Sequence, residues 1–214
     1  MSPRTATTFT LSPDNLSGNA TIYDAGARAL YTVSTRRRCS GTTTYVMNVS
    51  GAALASLEER DLLPNRVILG QNPPMPLRNW LHTRLRDLSA NVNVSFKDDL
   101  GRKYKWRGCA PGYGSLSTLE LYTKEDDYAE PIARFDRPQR RFEAGTRDAR
   151  AGKGGDPEPA RLVLAGRALE IRDMVVISFL FLERARRKNE TLEKSSAEAL
   201  STLPMVAVTY GWNK

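Results

Sequence analysis

Six cations stand in spacings that suit anion chemistry. Arg36, Arg37 and Arg38 follow an apolar run, and Lys103, Lys105 and Arg107 alternate along another segment. Side chains on a strand alternate between faces, so Lys103, Lys105 and Arg107 share one face while Tyr104 and Trp106 turn inward with Arg102 on their side. Three cations on one face can grip phosphate oxygens, Arg through its planar fork and Lys as a point charge. The competing expectation is a solvated outer face without a ligand. These six residues are the expected ligand-binding set, for an anionic lipid or another phosphorylated ligand. Nucleic acid ranks lower, because single-strand recognition needs exposed aromatic rings among the cations.

Acid–base chemistry would have to draw on a thinner supply. The chain has one histidine, His82, so a polyhistidine metal site is excluded and any Ser-His-Asp triad would depend on that residue. No nucleophile elbow, Walker loop or Rossmann glycine fingerprint is present. An enzyme here would use tyrosines and carboxylates in an isomerisation, cyclisation or lyase step. Its candidates are Tyr23, Tyr31, Tyr45, His82, Asp98, Asp99 and Glu120. Against this stands the plainer expectation of core tyrosines and solvated carboxylates. Glu125-Asp126-Asp127 lacks the spacing of a calcium loop, and no metal or cofactor is expected.

Composition bounds these readings. The chain has 214 residues, 40% of them hydrophobic, with a formal charge of +8. That suits one soluble domain with a sizeable core, and a basic balance favours anionic partners as well as solubility. No stretch approaches the roughly 20 apolar residues of a membrane span. The first residues lack the apolar core of a secretory signal, so an intracellular setting, cytoplasmic or peripheral to a membrane, is expected. There the Asn-x-Ser/Thr sites at Asn15, Asn19, Asn48, Asn93 and Asn189 carry no weight. Cys39 and Cys109 form no CxxC or zinc pattern.

Short strands must position the candidate residues. Alternation or turn chemistry marks Thr8–Leu11, Ala20–Tyr23, Arg28–Ser34 and Thr42–Val49, the last with Thr43, Tyr45, Met47 and Val49 on one face. Asp24-Ala-Gly reads as a hairpin turn. The clearest hairpin places Val92, Val94 and Phe96 against Tyr104 and Trp106 across Asp98-Asp-Leu-Gly. Ala53–Leu63 has leucines near helical spacing and reads as a helical turn. Further strands are expected at Val67–Leu69, Leu119–Leu121, Pro131–Phe135, and as a pair at Arg161–Ala165 and Arg167–Arg172. Glu143–Ala160 has almost nothing to bury and reads as a flexible loop at 143–160.

Asp173–Glu183 is the most informative segment. Eight of the nine residues from Met174 to Leu182 are apolar. As a helix this segment is apolar all round and must be surrounded on every side. At about 14 Å it is too short for a bilayer. Asp173 is a suitable N-cap, and Arg184, Arg186, Arg187 and Lys188 suit the negative end of a helix dipole. A buried central strand is the alternative.

Leu11-Ser-Pro-Asp-Asn, Ile22-Tyr-Asp, Leu30-Tyr-Thr-Val-Ser-Thr, Phe96 through Gly101-Arg-Lys-Tyr-Lys-Trp-Arg-Gly108, Ile132-Ala-Arg-Phe and the Asp173–Glu183 segment occur in that order. Over residues 8–188 this order resembles a domain family of mushroom-forming fungi, itself similar to the tubby C-terminal, LURP-one and phospholipid scramblase group. The resemblance implies a mainly β fold: an antiparallel tubby-like β-barrel around a buried hydrophobic C-terminal helix. It also implies a noncatalytic binding domain for an anionic ligand, a lipid headgroup at a membrane surface in the first instance. A barrel-cavity enzyme and a protein-interaction module are the alternatives. The expected organisation is one domain over 1–188 with a C-terminal extension over 189–214, whose apolar part, Leu203–Tyr210, would pack on the barrel or meet a partner.

Overall fold

The structure, a computed structural model, describes residues 6–14, 18–39, 41–83, 93–109, 118–138 and 159–201. Alternation builds the first strands. Phe9 and Leu11 of β1 (Ala6–Ser12), Ala20 and Ile22 of β2 (Ala20–Tyr23), and Tyr31 and Val33 of β3 (Ala29–Arg38) all turn inward. Between β2 and β3 the Asp24 carboxylate accepts the backbone N–H groups of Gly26 and Arg28, which fixes the expected turn.

The chain continues through β4 (Gly41–Asn48), β5 (Ala53–Arg60), β6 (Arg66–Leu69) and β7 (Met75–Pro76). A single turn, α1 (Leu77–Trp80), leads to β8 (His82–Thr83). Then come β9 (Val94–Lys97), β10 (Lys103–Arg107), β11 (Leu119–Thr123), β12 (Pro131–Asp136) and β13 (Ala160–Ala165). Two helices follow, α2 (Arg167–Glu170) and α3 (Arg172–Ser201).

All the strands form one antiparallel sheet in the order β7-β6-β5-β4-β3-β2-β1-β13-β12-β11-β10-β9-β8. The sheet curls around the first half of α3. Val175 to Phe181 are buried without interruption, as the all-round apolar pattern requires. Phe179 meets Phe135 of β12 with ring centroids 4.3 Å apart, and Phe181 meets Trp80 of α1 at 6.3 Å. Tyr31 of β3 reaches Asp173, and Glu59 of β5 reaches Arg184, on other sides of the same helix.

Several expectations need correction. Hydrogen bonding does not close the sheet into a barrel: among the described residues its edges β7 and β8 pair with one neighbour each, and α1 lies between them in the chain. Ala53–Leu63 is no helical turn. Its first eight residues form β5, because Ala55, Leu57 and Glu59 point inward at period two and pair with β4, a register the leucine spacing conceals. In β4 the buried residues are Thr44 and Val46. Thr43, Tyr45 and Met47 form the outer face, and Val49 lies just beyond the strand, because their apolar character does not decide which face meets the helix.

Arg161–Ala165 is a strand, but Arg167–Arg172 is not its partner; it holds α2 and the first residue of α3. Asp173 lies inside α3 and does not cap it. The helix runs on to Ser201, so Arg184–Lys188 sit in its middle rather than at its negative end. The expected loop lies outside the described residues for 143–158, as do Val92 and Leu203–Tyr210.

Candidate anion-binding groove

The inner face of β3, β4 and β5 changes character along its length. Val33, Val46 and Ala55 share a cross-strand row of core residues. One step on, Thr35 pairs with Thr44, their hydroxyl oxygens 3.2 Å apart. In the next row Arg37, Thr42 and Glu59 lie opposite one another. Period-two alternation therefore carries Arg37 onto the side that faces α3.

There the sheet and the helix bound a groove of about 620 Å³. Arg37 and Arg38 line it from β3, Arg184, Arg187 and Lys188 from α3, and Glu59 and Asp61 bring the acidic groups. Five cations thus face two carboxylates. Glu59 is buried; it accepts a 2.9 Å hydrogen bond from Arg184 Nε and stands 3.7 Å from Lys188 Nζ. Arg187 donates to Glu183 at 2.7 Å and to the Asp14 carboxylate at 2.6 Å. Arg37 and Arg38 are exposed, with no ion-pair partner among the described residues. Arg36 points to the other face, where its guanidinium lies 5.8 Å from the Tyr45 ring centre.

The second basic set lies elsewhere. β10 is separated from β3 by five strands of the sheet, so the two sets do not form one site. As expected, Tyr104 and Trp106 are buried and Lys103, Lys105 and Arg107 face outward. Lys105 Nζ lies 3.9 Å from the Tyr128 ring centre, and the Arg107 guanidinium 4.1 Å from that of Tyr122. Glu120 faces Arg107 across the ladder and accepts a hydrogen bond from the Tyr122 hydroxyl. Aromatic rings and a carboxylate hold this outer face together, which leaves Lys103 and, opposite it, Lys97 as its open cations among the described residues.

The acid–base candidates are scattered. His82 is exposed on the edge strand β8, and Tyr23 is half-buried at the end of β2. Two tyrosine–carboxylate pairs do occur near the start of α3. Tyr31 donates a 2.5 Å hydrogen bond to Asp173, and Tyr104 donates one of 3.0 Å to Asp98. Burial, reinforced by the carboxylate, pushes the Tyr31 hydroxyl well above its ordinary pKa. The same causes raise Tyr104 to about 12. Burial alone would raise Asp98, but hydrogen bonds from Arg102 and Tyr104 outweigh it and hold the carboxyl low. Asp98 also accepts the Leu100 and Arg102 backbone N–H groups, so four donating groups engage it and it pins the β9–β10 turn. Groups driven away from neutrality are poorly placed for proton transfer. Asp98 and Asp99 line an open cleft of about 460 Å³, and the sheet interior beside it is filled by α3 and aromatic rings.

Glu125 pairs with Arg167, and Asp126 accepts the Tyr128 and Glu130 backbone N–H groups. Among the described residues no three His, Cys, Asp or Glu side chains gather to hold a metal ion, and no helix is long and apolar enough to cross a membrane. Cys39 and Cys109 are both free thiols.

Sequence reasoning named Arg37 and Arg38 but missed Glu59, Asp61 and Thr42, and it gave Arg184, Arg187 and Lys188 a different role. The alternation of β3 continued past Val33 carries the signal for Arg37. The pairing of Glu59 with Arg184 spans 125 positions and has no local signature.

No curated protein matches the chain. The X-ray structure of an Arabidopsis thaliana protein is similar at 16% identity, over 83% of this chain and 88% of that one, with a TM-score of 0.44. Residues 14–188, nearly the whole described sheet and the first half of α3, match a family described as of unknown function, and the chain belongs to that family, DUF6593.

Proposed function

We propose that this chain is a noncatalytic binding domain for an anionic, phosphate-bearing ligand, a lipid headgroup in the first instance, held in the groove between β3–β5 and α3. The observation that carries the reading is the excess of cations there, with Arg37 and Arg38 left to face solvent beside a helix turn already neutralised by Glu59, Glu183 and Asp14. An incoming phosphate meets two guanidinium forks without displacing an internal ion pair. The resemblance to tubby-like domains supports the same ligand class. It also favours a barrel whose β7–β8 seam is closed by packing rather than by hydrogen bonds, with Trp80 of α1 set against Phe96 and Phe181. Acid–base catalysis ranks below binding, because the tyrosine–carboxylate pairs are turned to structural use.

Co-sedimentation with phosphatidylcholine vesicles, with and without phosphatidylserine, at low salt tests the reading. Selective recovery on the anionic vesicles is expected, weakened by added salt and by Arg37→Glu with Arg38→Glu in a chain whose circular dichroism is unchanged. Equal recovery on neutral and anionic vesicles would overturn the lipid headgroup as that ligand. A protein partner captured through the same arginines, without any vesicle binding, would favour the interaction-module alternative.

A further inference from the structure

Three leucines stand in solvent at the groove's end of the sheet. Leu62 is 96% exposed and Leu63 59%, on the connection between β5 and β6, and Leu192 of α3 is 58% exposed. The register places them together. Arg38 lies opposite Gly41, and Gly41 opposite Arg60, so the β3–β4 turn and the β5–β6 connection leave the sheet at the same end. Asp61, the residue before Leu62, lines the groove together with Arg38, Lys188 and Leu192.

We propose that this end of the domain docks on a lipid bilayer, with Leu62 and Leu63 entering the headgroup–acyl boundary while Arg37, Arg38 and Lys188 meet the phosphates of anionic lipids. The proposal rests on the anionic-ligand reading of the groove and narrows it to a headgroup still in its membrane. A soluble phosphate would use the cations and leave the leucines without a role. Apolar side chains beside cations are the combination that binds an anionic interface, through area removed from water and attraction to surface charge.

Two consecutive leucines on a turn form a narrow projection rather than the broad apolar patch of a protein interface. The opposite end of the sheet sets the orientation. Exposed Leu100 there follows Asp98 and Asp99, and Glu170 and Asp173 line the same cleft. With four carboxylates beside Arg102 and Arg172, that end is the more acidic of the two among the described residues, so an anionic surface favours the end that carries Leu62.

The test compares the wild-type chain with Leu62→Ser/Leu63→Ser on two probes: inositol hexakisphosphate in solution, and vesicles of equimolar phosphatidylcholine and phosphatidylserine. Both side chains are exposed on a connection, so the substitutions leave the core intact, and a thermal melt checks this. The expected result is unchanged binding of the soluble polyanion with vesicle partitioning weakened about tenfold or more. Equal partitioning of the two chains would overturn insertion while leaving the groove reading intact, as would binding of the soluble probe without any vesicle binding. A wild-type chain that binds neither probe would remove the groove reading and this proposal with it.

A second measurement uses an environment-sensitive fluorophore on Leu62→Cys in a Cys39→Ser/Cys109→Ala background. A blue shift on vesicles, absent for the same label on Leu100→Cys, is expected. The same shift at both positions, or at neither, would overturn the orientation.

Discussion

The indole Nε1 of Trp106 donates a 3.0 Å hydrogen bond to the hydroxyl of Ser178, the one polar residue in the buried run of α3, and that hydroxyl donates in turn to the Val175 carbonyl. The bond ties β10 to the helix at a point where both residues are fully buried. Ser178→Ala leaves the indole N–H without its acceptor, and a loss of about 1–3 kcal/mol is expected. In Trp106→Phe the same serine change should cost less. A double-mutant cycle by urea unfolding measures the difference, and a coupling near zero would show that the bond contributes nothing.

Farther along the same helix, Glu183 is fully buried and accepts 2.7 Å hydrogen bonds from both Arg137 and Arg187, with Arg186 Nε 3.2 Å from its second oxygen. Removing the carboxylate leaves a cluster of guanidinium groups without its central anion. Glu183→Ala is expected to cost about 3–5 kcal/mol, a large share of a typical domain's stability. Chemical denaturation checks this, and a midpoint unchanged from wild type would count against the network.

The β9–β10 turn should set a pH window. Asp98 is held below the ordinary carboxylate range in the folded state, despite its burial, by hydrogen bonds from Arg102 and Tyr104. Its contribution is therefore complete above the unfolded pKa of about 4 and is lost as pH falls through the lower folded value. Burial, with the Asp98 hydrogen bond, raises Tyr104 to about 12. The sign is opposite: that contribution is complete below about 10 and is lost as pH rises through the folded value. Melting temperature followed across pH should fall at both limits. Asp98→Asn should flatten the acid limb, and a limb identical to wild type would exclude this carboxylate as its source.

Legibility in the sequence followed the range of the interactions. Val94, Phe96, Tyr104 and Trp106 alternate on both sides of a turn with Asp98 in it, and two strands pairing across a short connection need little further information. The run from Met174, apolar but for Ser178, required an element covered on every side, a helix or a buried central strand. β5 was obscured because Leu54, Leu57 and Leu62 mimic helical spacing, while the pairing that makes a strand of the segment comes from β4 and β6. Alternation in β4 did not tell its inner face from its outer one, since Tyr45 and Met47 are more apolar than Thr44, which is buried. For the groove, Arg37 and Arg38 were readable as a local cluster. The α3 residues opposite them were not, because their placement depends on how far the sheet curls.

Every ladder of the sheet but one joins strands that follow one another in the chain; the exception pairs β1 with β13, Ala6 opposite Ala165. The sheet is thus two meanders, β1–β7 and β8–β13, each able to assemble from contacts close in sequence. Their junction is the ladder of longest separation, the kind of contact that slows folding. The inner faces of both meanders stay uncovered until α3, which follows β13 directly apart from the short α2, is present to be wrapped. During synthesis the growing chain therefore carries open half-sheets until the residues of α3 leave the ribosome. In that interval apolar faces and strand edges are exposed together, the condition that favours aggregation over folding.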